Sequence, residues 1–117
     1  MEQIVNLIDL PYKQFYNFYL AIEKSKLIEI RKTLFKSAIK YSSLRSEWML
    51  LEQEERKNID EERSRAHNVF IDDCNIMSRN MIANGEDASW RKELGNDRKV
   101  IGDFACYISF VLGIKAR

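Results

Sequence analysis

Apolar residues recur along much of this chain at intervals of three and four, the spacing that places them on one face of an α-helix. The first stripe consists of Phe15, Phe18, Tyr19 and Ile22. We predict that its helix begins near Asp9 and Pro11, because an aspartate can cap free backbone amides and a proline is tolerated in a first turn. Residues 1–8 are predicted to form a short turn that packs its apolar side chains on this helix.

A second and longer stripe starts in a new phase at Leu27 and predicts a helix over about residues 27–55. Its members are Leu27, Ile30, Leu34, Ala38, Tyr41, Leu44, Trp48 and Leu51. The mean spacing is about 3.5 residues, the period that keeps one helix aligned with a partner helix. The pattern leaves open whether this helix continues directly from the first one.

Residues 52–65 are almost entirely charged or polar, and Ile59 is the apolar exception. They cannot cover a core and must face water. Asn58, followed three residues later by Glu61, has the pattern of a helix N-cap with a reciprocal glutamate. This pattern predicts a turn near Lys57 and Asn58, with one continuous exposed helix as the alternative.

A third helix is predicted from residues that again recur at three and four: His67, Phe70, Cys74, Met77 and Met81. Asn84 and Gly85 are expected to end it, because both tolerate the left-handed conformation that is common at helix termini. A short helix around Trp90, capped by Asp87, follows. Asn96 is predicted to cap the last helix.

The most apolar segment runs from Val100 to Ile114 and carries one charged residue, Asp103, in fifteen positions. A helix that is apolar on most of its surface must be buried. One proline and four glycines in 117 residues leave few interruptions to helices. For residues 1–117 we therefore predict a single all-α domain, an up-and-down bundle of four to five helices with a buried C-terminal helix.

Charge and cysteine content restrict the function classes only broadly. The net charge is +1, so the protein as a whole has no field that would attract nucleic acid or an anionic membrane. The longest apolar run is shorter than the roughly 20 residues of a membrane span, and no secretory signal is visible. Cys74 and Cys106 lie in apolar helical settings that are typical of free thiols. We predict a cytoplasmic protein with no membrane partner.

No catalytic motif, phosphate-binding loop or metal-ligand spacing is visible, which favours a protein that is not an enzyme. His67 is the only histidine, and its place at the head of an apolar stripe favours a half-buried structural ring whose nitrogens are satisfied by a neighbour. It would be the catalytic imidazole if one were used. Neither a second histidine nor a closely spaced cysteine pair lies near it, so no metal site and no cofactor are expected.

Two polar features could belong to a ligand site. A stripe on the other face of the third helix consists of Arg65, Asn68, Asp72, Asn75 and Arg79. Its arginines could clamp an anion or a partner's carboxylate, although a solvated face is the favoured interpretation. Asp103 needs a partner to offset the cost of burial, and Arg98 and Lys99 lie about one turn before it. Arg79, Arg91 or His67 could also reach it from across the bundle. We expect a structural ion pair at Asp103 or a cap for the end of a neighbouring helix.

Positive charge is concentrated between residues 13 and 45, where eight basic residues outnumber two acidic ones. A basic helix face can bind nucleic-acid phosphates, and nearby tyrosines could stack on bases. The candidate contacts are Lys24, Lys26, Arg31, Lys32, Lys36 and Lys40. The acidic block of residues 47–65 could equally neutralise this surface, so nucleic-acid binding is an alternative that the sequence does not favour.

Residues 90–105, WRKELGNDRKVIGDFA, combine a Trp-Arg pair, a Leu-Gly helix stop and the start of the final apolar helix. In these features the C-terminal half resembles small all-helical bacterial proteins of uncharacterised function. The resemblance implies a bacterial, all-helical protein, but it implies no activity and no site residues.

Three functional hypotheses follow. The first is a non-enzymatic interaction module that acts through helix faces as a homodimer, with the aromatic residues Tyr41 and Trp48 in the seam. One form of this hypothesis gives the module a regulatory role. The second is nucleic-acid binding through the basic face of residues 13–45. The third is a small-ligand binder or enzyme built around Asp103, His67 and the polar stripe, which requires these groups to share one pocket.

Overall fold

Five helices make up the computed structural model, which describes the backbone of residues 2–116 and the side chains of residues 13–116. They are α1 (Glu2–Glu23), α2 (Ile28–Leu50), α3 (Gln53–Ala83), α4 (Ser89–Leu94) and α5 (Arg98–Lys115). Over the described backbone there is no β-strand. The prediction of an all-α helical bundle is confirmed.

The core is built around Phe104 of α5, which is completely buried. Its ring centroid lies 5.4 Å from that of Phe15 and 5.8 Å from that of Phe18, both on α1. The ring of Phe70, on α3, lies 6.3 Å away. Helices α2 and α3 form a hairpin with a two-residue connection, and α5 packs along α2. Aromatic side chains from α1 and α3 thus meet on one residue of the C-terminal helix.

The inner face of α5 is buried, as the apolar pattern predicts. Ile101, Phe104, Ala105 and Ile108 are at most 2% exposed. The last turns of the same helix extend to the surface, where Phe110 is 65% exposed. The last turns of α5 therefore carry more apolar side chains than the core covers. Among the described residues, no helix combines the length and the apolar character that crossing a bilayer requires.

The turn after the long helix lies earlier than predicted. Helix α2 ends at Leu50, and Glu52, rather than Asn58, is the N-cap of α3. Glu52 and Glu55 form a reciprocal capping box, with the Glu52 amide donating to Glu55 Oε1 at 3.4 Å. Arg56 then donates from Nε to the carbonyl oxygens of Trp48 and Leu51, which satisfies the end of α2. Residues 53–65 are consequently a largely exposed stretch of α3.

Three other predicted helix starts are also wrong. The N-cap of α4 is Ala88 rather than Asp87, although the Asp87 carboxylate accepts from the amide of Ser89. Helix α1 begins at Glu2, so Pro11 lies within it, and the packing predicted for the side chains of residues 1–8 falls outside the described side chains. The cap of α5 is Asp97 rather than Asn96, because the Asp97 carboxylate accepts from the amides of Lys99 and Val100. The first two helices are separate, with the break at residues 24–27.

Candidate functional site

A pocket of about 430 Å³ lies where α2, α3 and the first turn of α5 meet. Four positively charged side chains line it: Arg45, Arg63, Arg98 and Lys99. The remaining lining residues are Tyr41, Trp48, Met49, Ser64 and His67. We call this cavity the basic pocket. Its lining contains no carboxylate.

Helix periodicity explains how these residues come together. On α2, Arg45 follows Tyr41 by four residues, and on α3 His67 follows Arg63 by four, so each pair shares one face. The early turn at residues 51–52 sets the two faces against each other. The third contribution comes from the first turn of α5, where cations oppose the helix dipole. Cations at a helix N-terminus destabilise the helix, so helix stability does not explain why Arg98 and Lys99 occupy these positions.

His67 lies at the base of the basic pocket and is 5% exposed. Its Nε2 atom is 2.8 Å from the carbonyl oxygen of Arg98. Because a carbonyl oxygen accepts only, Nε2 carries a hydrogen and donates it. The other ring nitrogen, Nδ1, is buried and has no hydrogen-bond partner among residues 13–116. In a neutral ring this atom is an unsatisfied acceptor, and in a charged ring it is an unsatisfied donor.

The surroundings of His67 favour its neutral form. Burial lowers the pKa of the imidazole, and the positive charges of Arg98, Arg63 and Arg45 lower this pKa further. The hydrogen bond to the Arg98 carbonyl opposes these effects. The ring also packs edge-on against Tyr41, with centroids 5.0 Å apart. His67 is therefore held in one orientation and one tautomer.

Asp103 borders the basic pocket and forms the expected structural ion pair. Its Oδ1 is 2.8 Å from Arg45 Nη2, and its Oδ2 is 3.2 Å from Lys99 Nζ. Lys99 was predicted as a partner because it lies one turn before Asp103 on the same helix. Arg45 is a partner that the sequence analysis missed, because only the packing of α2 against α5 brings the two together.

Trp48 forms the wall of the basic pocket opposite α5. The guanidinium carbons of Arg56 and Arg63 lie 4.0 Å and 4.6 Å from its ring centroid, which places both in cation–π contact. Its Nε1 donates to Asp60. The Nε of Arg63 is buried and, over the described part of the chain, lacks a hydrogen-bond partner.

Positive charge in the basic pocket is only partly compensated. Two carboxylates contact its lining residues, namely Asp103 at Arg45 and Lys99, and Asp60 at Trp48. When both are counted against the four lining cations, two positive charges remain. Within the part of the chain that has described side chains, Arg63 and Arg98 form no ion pair.

The polar stripe and His67 do not share one pocket. Four stripe residues are exposed: Arg65, Asn68, Asp72 and Arg79. Asn75 is half-buried and accepts a hydrogen bond from Arg91, while Asn68 accepts one from Arg98. Of the seven predicted contact residues, only His67 lines the basic pocket, and Asp103 and Asn68 touch its arginines. A partner-binding role for the stripe stays a prediction.

The proposed nucleic-acid contacts divide into two groups. The five lysines are exposed: Lys24, Lys26, Lys32, Lys36 and Lys40. Arg31 is half-buried and donates to the carbonyl oxygens of Glu23 and Ser25 at 2.6 Å and 2.8 Å. It therefore satisfies the C-terminus of α1, and nucleic-acid binding stays a prediction that depends on the lysines.

The aromatic side chains expected in a dimer seam are covered within one chain. Tyr41 is 4% exposed, and Trp48 is half-buried beneath two arginines. Self-association stays a prediction, but these two residues do not supply an uncovered aromatic surface for it.

Metal ligands and thiols are further groups that could carry chemistry. Among the described residues, no cluster of three or more histidine, cysteine, aspartate or glutamate side chains could hold a metal ion. Burial raises the pKa of the Cys74 thiol to about 12. Cys106 is half-buried, with its sulfur 3.7 Å from Arg45 Nη1.

No family model, no curated protein and no solved structure matches this chain. Evidence about the function therefore comes from the geometry of the site. Of the nine described residues that line the pocket, the sequence analysis assigned only His67 to a ligand site. It missed the other eight as site residues: Tyr41, Arg45, Trp48, Met49, Arg63, Ser64, Arg98 and Lys99. Two cations in the first turn of α5 were the sequence signal that could have indicated the site.

Proposed function

We propose that this protein binds a small anionic ligand in the basic pocket. The observation that carries the proposal is the convergence of Arg63, Arg98 and His67, whose buried Nδ1 has no partner among residues 13–116, on one cavity. Two helices, α3 and α5, supply these groups, so their meeting is a property of the tertiary structure and not of one charged segment.

The energetics of the pocket support an anion. Bringing like charges together in a partly enclosed space is unfavourable, because the effective dielectric constant is lower than in water. The same environment strengthens hydrogen bonds between cationic donors and an anion. A ligand that carries negative charge would thus offset the repulsion between Arg63 and Arg98 and satisfy their donors.

The lining favours binding over chemistry. Arginine and lysine donate hydrogen bonds and keep their charge, whereas proton transfer needs a group that can lose or gain a proton near neutral pH. In the pocket this description fits His67 alone, and its Nε2 is already bound to a backbone carbonyl. The volume of about 430 Å³ suits a small ligand.

Isothermal titration calorimetry of the full chain with inorganic phosphate, sulfate and benzoate tests the proposal. We expect at least one of these anions to bind, and we expect Arg98→Gln or Arg63→Gln to weaken binding at least about ten-fold. Arg79→Gln is the matched control, because Arg79 is an exposed arginine of α3 outside the pocket. Circular dichroism confirms that each variant is folded.

Two results would overturn the proposal. One is the absence of binding by all three anions at millimolar concentration. The other is an affinity that is unchanged in both pocket variants. Tight binding of a nucleic-acid oligonucleotide that is lost on substitution of Lys32, Lys36 and Lys40, and not of Arg98, would support the alternative function instead.

A further inference from the structure

We infer that the ligand of the basic pocket carries a phosphate monoester group, which binds as the dianion together with one proton that His67 takes up on Nδ1. The inference rests on the proposed function, because it specifies the ligand class and the proton linkage of the same site.

The charge of the pocket selects a dianion. Arg63 and Arg98 are the two lining cations that have no ion pair within residues 13–116. A monocarboxylate would balance only one of them. A phosphate monoester carries about −1.5 to −2 charges near pH 7, which matches both.

The positions of the donors select a tetrahedral group. Ser64 and His67 approach from α3 together with Arg63, while Arg98 and Lys99 approach from α5. A planar carboxylate is satisfied by a single guanidinium fork on one side. The three terminal oxygens of a phosphate monoester point in different directions, so they can accept from helices on different sides of the pocket. The amides of Lys99 and Val100 in the first turn of α5 are not among these donors, because Asp97 already accepts from them.

The geometry of His67 leaves one atom for the ligand. Its Nε2 is bound to the carbonyl oxygen of Arg98, so the ring cannot turn without breaking that hydrogen bond. Its Nδ1 is buried and has no hydrogen-bond partner among residues 13–116, and His67 is one of the residues that line the pocket. A proton on Nδ1 would convert this atom into a donor that a phosphate oxygen can accept from.

The groups around the ring keep that proton off until an anion arrives. From α2 the ring faces Tyr41 and Arg45, from its own helix Arg63, and from α5 Arg98 and Lys99. None of these is negative. The carboxylate of Asp103 is turned to Arg45 and Lys99. A bound dianion would offset the charges of Arg63 and Arg98 and supply an acceptor for a proton on Nδ1, and both effects favour protonation of Nδ1 with a proton from solvent.

Calorimetric titration with phenyl phosphate at pH 7, in two buffers of different ionisation enthalpy, measures the protons taken up on binding. His67→Gln is the informative variant, because the glutamine amide can still donate to the Arg98 carbonyl while Nδ1 is removed. Protons that the phosphate group itself gains or loses on binding are the same for both proteins, so they cancel when the two proteins are compared. We expect the wild-type protein to take up close to one proton more than the variant and to bind about ten-fold more tightly. Phenyl sulfate and benzoate should bind at least about ten-fold more weakly than phenyl phosphate.

Nitrogen-15 NMR of the single histidine gives a readout that does not depend on the variant. We expect Nδ1 to change from unprotonated to protonated when phenyl phosphate is added. Binding of phenyl phosphate with no protonation of Nδ1, or equal affinity for benzoate or phenyl sulfate, would overturn this inference and leave the proposed function standing. Failure of every anion to bind would overturn both.

Discussion

The hydroxyl of Tyr41 occupies the space that a side chain on Gly102 would need. A Cβ atom added to Gly102 would lie 2.8 Å from this oxygen and 3.2 Å from Cε2 of the same ring. Tyr41 is buried on α2 and packs edge-on against His67. The missing side chain on α5 thus lets the tyrosine ring come close enough to position the histidine of the basic pocket.

Gly102→Ala should destabilise the protein although alanine is the better helix former. Overpacking costs about 1–3 kcal/mol, whereas the gain in helix propensity is about 1 kcal/mol, so we expect a net loss of about 1 kcal/mol in the free energy of unfolding. Gly113→Ala is the matched control on the same helix, since a Cβ there meets nothing within 4 Å. It should be neutral or stabilising by up to about 1 kcal/mol. Urea unfolding of both variants tests this prediction. Changes of the same sign in the free energy of unfolding of both variants would contradict the close approach of Tyr41 to Gly102.

Arg31 and Lys32 are neighbours in sequence with opposite expected effects on stability. Arg31→Gln removes two charge-assisted hydrogen bonds to the end of α1 and should cost about 1–2 kcal/mol. Lys32 is exposed, and its contact with Glu29 spans 3.9 Å, so Lys32→Gln should change stability by less than about 0.5 kcal/mol. Thermal unfolding measures both. Equal losses would show that Arg31 does not stabilise the helix end.

The helical core was predictable from sequence because burial on one face leaves a repeat of three and four. Phe70, Cys74 and Met77 are buried as that repeat predicts. The turn position was not predictable in the same way, because Glu52 and Asn58 are each followed three residues later by a glutamate. The choice between them depends on Arg56, whose side chain satisfies the carbonyls that end α2.

The basic pocket could not be predicted, since its charged residues look like those of solvated faces. Arg45 and Arg63 are eighteen positions apart in the printed sequence, and they line one cavity only because the turn at residues 51–52 aligns their helices. His67 was predicted as a half-buried structural ring. That prediction was wrong in two respects: the ring is buried, and one of its nitrogens, which were expected to be satisfied by a neighbour, has no partner among residues 13–116. Both properties depend on contacts between helices.

The two thiols should differ strongly in reactivity. Cys74 is 1% exposed, and burial raises its thiol pKa to about 12, so almost none of it is thiolate near pH 8. Cys106 is half-buried and beside Arg45. We expect iodoacetamide to modify Cys106 at least about one hundred-fold faster in the native protein, as mass spectrometry would show. Cys106→Ser should abolish native-state labelling, and rapid labelling of this variant would contradict the burial of Cys74.

Stability of the ligand-free protein should fall as pH decreases from 7 to 5. The pKa of His67 in the folded protein is lowered from its ordinary value of 6.5, chiefly by burial. Below about pH 6.5 the unfolded chain therefore binds a proton that the folded chain resists, and this difference favours unfolding. His67→Gln should lose this part of the pH dependence, because carboxylates titrate at lower pH. Urea unfolding at pH 5, 6 and 7 provides the test, and a wild-type protein that is more stable at pH 5 than at pH 7 would refute it.

Replacing Asp103 by asparagine should lower stability and raise anion affinity, a combination that a purely structural residue would not produce. The carboxylate is 33% exposed and pairs with Arg45 at 2.8 Å and Lys99 at 3.2 Å, so its loss should cost about 1–2 kcal/mol of folding free energy. The same change removes a negative charge beside the basic pocket and should strengthen phosphate binding several-fold at low salt. Asp72→Asn makes the same charge change at an exposed site on α3 and should alter neither quantity. Urea unfolding and calorimetry on the three proteins separate the two effects, and weaker phosphate binding by Asp103→Asn would argue against an anion site in this pocket.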